Sequence, residues 1–168
     1  MKSQDSLTRF LHTVQGESHL YENCGFVLVE DRFPVLAGHL LLVARRPLPS
    51  LADCSWPELN LTLSAIRSVL EGHGCYFMLE HGRRSLCISD DSPAHAHAHV
   101  VPLAEFDGFV EHDFRAFHDL KTAHGSIPAD TEYLLWGNLR DGSAWYVKAP
   151  LTNAPKSIIR QRLALNAV

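Results

Sequence analysis

Three histidines at alternate positions mark the middle of the chain. The segment 92–102 reads Ser-Pro-Ala-His-Ala-His-Ala-His-Val-Val-Pro, so single alanines separate His95, His97 and His99. A period of two is the period of a β-strand, which predicts that the three imidazoles project from one face of a sheet. The alanines then face the other side, where small side chains permit close packing. Pro102 has no N–H to donate and is expected to end the strand.

A row of imidazoles suits chemistry on phosphate. An unperturbed imidazole has a pKa of about 6.5, so near neutral pH it serves as an uncharged nucleophile or as a phosphate-binding cation. The middle histidine, His97, would attack, while its neighbours bind phosphoryl oxygens and move protons.

A metal site is a second interpretation, because imidazole binds zinc, nickel and copper. At about 3.3 Å per residue, however, His95 and His99 lie about 13 Å apart, so at most two of the three histidines could share an ion. A chance cluster is the third interpretation, since the chain has 11 histidines.

A second segment upstream favours the phosphate interpretation. Residues 31–43 read Asp-Arg-Phe-Pro-Val-Leu-Ala-Gly-His-Leu-Leu-Leu-Val. The two segments, with a helix and a strand in the gap, resemble the histidine triad (HIT) family. In that family three histidines alternate with apolar residues, and a ribose-binding acidic or amide residue precedes a proline turn, Gly-His and an apolar strand. The resemblance covers residues 26–102. The Glu-His-Gly at 80–82 and the C-terminal extension are similar to a bacterial HIT-like subgroup.

The resemblance implies catalytic roles for four residues. His97 would attack the α-phosphorus of a nucleoside phosphate derivative and form a nucleotidyl-histidine. His95 and His99 would stabilise the phosphoryl oxygens, and Ser92 would assist the leaving group. A serine before Pro93 also suits a simple turn.

The resemblance also implies a set of substrate-binding residues. They are His39 at the phosphates, Asp31 at the ribose hydroxyls, Phe26 and Leu28 at the base, and Glu80. Asp31 would equally suit a turn before the proline, and Phe26 and Leu28 would equally suit a core. Glu80 stands where several HIT enzymes have an amide, and a carboxylate repels phosphate unless it is protonated or paired. It would alternatively accept a hydrogen bond from a histidine and hold its tautomer.

The elements that must position these residues follow from periodicity and turn residues. The strands expected around the histidine strand are 25–30, 40–44 and 75–80, and the helices are 6–14, 53–72, 105–123 and 157–165. A hairpin is expected from 133–137 and 144–148. The helix over 53–72 should cover the alanine face. The fold class is α+β: a HIT-like, mostly antiparallel sheet with helices packed on it, plus a C-terminal hairpin and helix.

Length and composition bound the class of protein. The 168 residues predict one domain over 1–168, with a core at 20–104 and a C-terminal elaboration at 105–168. A net charge of −4 gives no basic surface for nucleic acid. The four scattered cysteines form no Cys-x-x-Cys pair, and no apolar run suggests a leader or a membrane span, so a cytoplasmic protein is expected.

The sequence therefore predicts a HIT-type nucleotide hydrolase or nucleotidyltransferase whose partner is a nucleotide-type small molecule. No cofactor or metal is expected in the protein, and magnesium would enter only with the substrate. A non-catalytic nucleotide-binding or regulatory module is the alternative function. The sequence leaves both a homodimer and a monomer open, because the C-terminal extension could cover a subunit interface.

Overall fold

The structure is a computed structural model that describes residues 19–84, 96–106, 108, 113–142, 144–152, 154–155 and 157–166. The expected helix at 6–14 and two of the expected catalytic residues, Ser92 and His95, lie outside the described residues.

An antiparallel sheet of eight strands forms the centre of the described part of the chain. Its strands, in chain order, are β1 (Tyr21–Glu22), β2 (Phe26–Glu30), β3 (Leu40–Ala44), β4 (Tyr76–Arg84), β5 (His97–Pro102), β6 (Arg115–Phe117), β7 (Thr131–Asn138) and β8 (Trp145–Lys148). Their order across the sheet is β1-β2-β3-β5-β4-β7-β8-β6. The sheet and its helices confirm the α+β class with a mostly antiparallel sheet.

In the described ranges, three α-helices accompany the sheet: α1 (Trp56–Val69), α2 (Leu120–Gly125) and α3 (Ile158–Asn166). In α1, a proline in the first turn favours helix initiation, and Leu59, Leu63 and Ile66 are spaced to lie on one buried face. That face shares a core cluster with Ala96 and Ala98, which confirms that this helix covers the alanine side of the histidine strand. Among the described residues, no helix has both the length and the apolar character needed to cross a membrane.

The C-terminal part continues the same sheet. Strands β7 and β8 form the expected hairpin, and β7 pairs with β4 over eight residue pairs. The expected helix over 105–123 is wrong, because Arg115–Phe117 is strand β6 and α2 begins only at Leu120. The aromatic side chains that suggested helical spacing include Phe106 and Phe114, whose rings contact the indole of Trp136. Contacts across the sheet therefore decide the backbone here, and local spacing does not.

A buried carboxyl group joins the sheet to a short 3-10 helix at Leu51–Asp53. Glu80 accepts a hydrogen bond from the Tyr133 hydroxyl at 2.6 Å and from the Leu51 amide at 2.7 Å. The same hydroxyl accepts from the Ala52 amide at 3.2 Å. Burial raises the pKa of Glu80 to about 7, although both hydrogen bonds favour the charged form.

The raised pKa of Glu80 predicts a loss of stability with rising pH. Below pH 4.5 the carboxyl is protonated in both states. Between pH 4.5 and about 7 only the unfolded chain releases the proton, so the free energy of unfolding falls by about 3 kcal/mol. Denaturant unfolding across this range should show the fall in the wild type and not in Glu80→Gln. The exposed-site variant Glu71→Gln is the control and should follow the wild type, and an equal slope in Glu80→Gln would contradict the assignment.

Candidate active site

The register of β5 places its histidines on the face of the sheet opposite α1. His97 lies across from Val43 and His99 across from Leu41, while Ala98 faces the other way. His97 is exposed, whereas His99 is 7% exposed, and their ring centroids lie 5.7 Å apart. The period of two predicted this common face, and the structure confirms it for the two described histidines.

Asp31 and His39 reach the same face by extending the β2–β3 ladder by one pair. The Asp31 amide donates to the His39 carbonyl at 2.9 Å, directly beyond the pair of Glu30 with Leu40. The connecting loop is closed by an Asx turn in which the Phe33 amide donates to Asp31 Oδ1 at 2.9 Å. The side chains of Asp31 and His39 are both almost fully buried.

A directed chain of hydrogen bonds links the loop to the histidine strand. The Val35 amide donates to His39 Nδ1 at 3.2 Å, so that nitrogen carries no proton. Neutral His39 then carries its proton on Nε2, which lies 2.8 Å from His99 Nδ1. Because His99 Nδ1 accepts, neutral His99 has its own proton on Nε2, on the far side of the ring. This series of hydrogen bonds therefore leaves His99 Nε2–H as a hydrogen-bond donor.

The surroundings keep these imidazoles neutral. Burial, the neighbouring His97 and His39, and Arg160 together lower the pKa of His99 to about 2. Burial also lowers the pKa of His39, against the opposing charge of Asp31. A neutral donor binds a phosphoryl oxygen without first exchanging a proton with solvent.

Arg160 of α3 completes the buried cluster, and sequence reasoning missed it. Its Nη2 lies 2.5 Å from Asp31 Oδ2, and its Nη1 donates to the Phe33 carbonyl. The same carboxylate oxygen is 3.3 Å from His39 Nε2. Nothing local marks this arginine, because 129 positions separate it from Asp31.

Three predicted substrate-binding residues lie on the opposite face, and their expected roles are corrected. Phe26 pairs with Ala44 and Leu28 with Leu42, which places both in the core beneath α1. Glu80 is 1% exposed and bonded to Tyr133, without a histidine contact among its described hydrogen bonds. Side chains alternate along a strand, so an assignment made one position off moves a residue to the wrong side. On β2 the histidine face is formed by Val27 and Val29 instead, and both are buried.

A carboxylate oxygen and two imidazole nitrogens lie within 4.8 Å of one another, from Asp31, His39 and His99. The spacing of these three atoms suits a single metal ion, but the hydrogen bonds of the residues do not. A metal on His39 Nε2 would leave Nδ1 to hold the ring proton, facing the Val35 amide, which is also a donor. The guanidinium of Arg160 already supplies a cation to the carboxylate. The hydrogen-bonding pattern thus favours the metal-free cluster.

Comparisons with known proteins complete the description of the site. No protein-family model matches the chain. It is 33% identical over 100 residues to a Dictyostelium discoideum protein named bis(5'-adenosyl)-triphosphatase, covering 55% of this chain and 64% of the relative. It is 35% identical over 52 residues to a HIT-like protein of Chlamydia pneumoniae, covering 31% of this chain and 47% of the relative. Both relatives support the resemblance of this chain to the histidine triad family.

The chain spans less than two thirds of the length of either curated relative. Among solved structures, the yeast Ap4A phosphorylase Apa2 in complex with AMP aligns over 77% of this chain and 57% of its own, with 14% identity and a TM-score of 0.49.

The hydrogen-bond chain predicts a defined protonation state for two histidines. Imidazole ¹⁵N NMR at pH 8 should show His39 and His99 neutral with the proton on Nε2. On titration to pH 5, His99 should stay neutral, because its pKa lies at about 2. In urea the same residue should titrate with the ordinary histidine pKa of about 6.5. A midpoint above pH 5 for folded His99, or an Nδ1-protonated form, would contradict the described chain.

Proposed function

We propose that this chain is a HIT-type nucleotide hydrolase or nucleotidyltransferase acting at the α-phosphate of a nucleoside phosphate derivative. The single observation that carries the proposal is the contrast between His97 and His99 on one face. His97 is exposed, so a substrate can reach its ring. His99 is buried and neutral, and it is oriented as a hydrogen-bond donor. The adenosyl substrate in the name of the Dictyostelium relative supports a nucleotide.

In the proposed reaction, a ring nitrogen of His97 forms a bond to the α-phosphorus. The bond from phosphorus to the leaving group breaks, and the leaving group takes a proton from solvent water as it departs. His99 Nε2–H stabilises the charge that develops on a phosphoryl oxygen. Water or another acceptor then attacks the nucleotidyl-histidine and releases the nucleotide. His95 and Ser92, outside the described residues, keep their proposed roles at the phosphoryl oxygens and the leaving group.

Asp31 has a more constrained place in this scheme than the resemblance implies. Its Oδ1 accepts from the Phe33 amide and its Oδ2 is paired with Arg160. A ribose hydroxyl would therefore compete with a guanidinium for the carboxylate. His39 supports His99 through the buried hydrogen bond between their rings.

The proposal predicts a covalent nucleotide on His97. Intact-protein mass spectrometry after mixing with nucleoside phosphoramidates and dinucleoside polyphosphates should show an added nucleotide mass, and monophosphate should be released. His97→Ala should lose both, with release falling by about 10³-fold or more because the nucleophile is gone.

The control variant is His73→Ala, which changes an exposed histidine in the turn after α1. It should form the adduct and release monophosphate as the wild type does. Release that persists in His97→Ala would overturn the nucleophile assignment. If the wild type binds nucleotide tightly but forms no adduct and releases no monophosphate, the proposed enzyme activity is wrong. The protein would then be a non-catalytic nucleotide-binding module.

A further inference from the structure

The C-terminal helix contributes a charged side chain to the histidine cluster. α3 packs on the histidine face of the sheet through Ile158, Ile159 and Leu163, which share a core cluster with Val101 of β5. The guanidinium of Arg160 extends from this helix to the Asp31 carboxylate, where it is about one third exposed while the carboxylate is 2% exposed. A residue from the far end of the chain thus meets the most buried charge of the site.

Asp31 has two imidazole nitrogens as alternative partners. Its Oδ2 lies 3.3 Å from His39 Nε2 and 3.9 Å from His99 Nδ1. A buried carboxylate without a cation would take the nearest N–H as its donor. The proton on His39 Nε2 would then turn toward Asp31, and His99 Nδ1 would lose its donor. His99 would respond by placing its own proton on Nδ1, where Asp31 is the acceptor within reach.

The contact with Arg160 removes this competition. Two guanidinium nitrogens bind the Asp31 carboxylate and the Phe33 carbonyl, so the carboxylate is satisfied without an imidazole proton. The His39 Nε2 proton stays directed at His99 Nδ1. The charge of Arg160 also lowers the pKa of His39, and so opposes the effect of Asp31.

We propose that Arg160 is a positioning residue that sets the tautomer of His99: by pairing with Asp31 it leaves the His39 proton to His99 Nδ1 and keeps the His99 proton on Nε2. As a contribution to catalysis, this inference rests on the proposed function, in which His99 Nε2–H binds a phosphoryl oxygen. Arg160 acts through Asp31, His39 and His99, and no contact with substrate is required of it.

The experiment compares Arg160→Met with Arg162→Met. Both residues are arginines of α3, and Arg162 donates from Nε to the Gly108 carbonyl, so the control also loses one contact of the helix while leaving Asp31 paired. Imidazole ¹⁵N NMR at pH 8 should show His99 protonated on Nε2 in the wild type and in Arg162→Met. In Arg160→Met the proton should move to Nδ1, which a merely structural loss would not produce.

Two further variants separate the charge of Arg160 and its pairing with Asp31 from the packing of its side chain. Arg160→Lys retains the charge and should keep most of the Nε2-protonated form. The double variant Asp31→Asn with Arg160→Met removes the carboxylate together with its partner, so His99 should return to the Nε2-protonated form. A His99 tautomer that is the same in the Arg160→Met, Arg160→Lys and double variants would overturn the proposal.

Nucleotide release supplies the second readout. In Arg160→Met kcat should fall by about 10²-fold, the order of the loss of one oriented donor, with KM changing much less. Arg162→Met should release nucleotide at the wild-type rate. If the wild type releases nucleotide and the His99 tautomer does not respond to Arg160, the inference fails and the proposed function stands. If the tautomer responds and the wild type releases no nucleotide, the positioning of His99 stands and the proposed function fails.

Discussion

The alternation of side chains along β5 is the constraint on which the site depends. Ala96 and Ala98 are 2% and 0% exposed in the core beneath α1. A slip of one residue would bury histidines there and expose alanines, so packing under α1 holds the register. With that register, His97 and His99 face the other side. The smallest side chains of the segment therefore determine where the chemistry-bearing ones project.

The buried polar groups of the site form hydrogen bonds with one another, and these bonds run in one direction. The Val35 amide at one end gives the hydrogen-bond chain its direction, and the pairing of Asp31 with Arg160 keeps the carboxylate from competing for the same proton. Removing one partner of a buried charge leaves the other uncompensated, which is far more costly than losing an exposed pair. The cluster therefore couples the C-terminal helix to the state of His99.

The two faces of the sheet use buried carboxylates differently. On the α1 side, Glu80 has hydrogen-bond donors but no arginine partner among the described residues, and burial raises its pKa to about 7. On the histidine side, Asp31 is paired with a guanidinium. The first carboxyl supports packing between the sheet and the 3-10 helix, and the second orders protons in the site. Tyr133 of β7 takes part in the first network, which ties the C-terminal strands into the sheet.

The sequence by itself determined the features that depend on near neighbours. These are the strand period of the histidines, the helix α1 and the β7–β8 hairpin, since each follows from side-chain spacing or turn residues within a short segment. Only the tertiary structure decided which face Phe26, Leu28 and Glu80 occupy, because facing depends on register against other strands. It alone also decided that Arg160 reaches Asp31, since a contact across 129 positions is made by packing and leaves no local pattern.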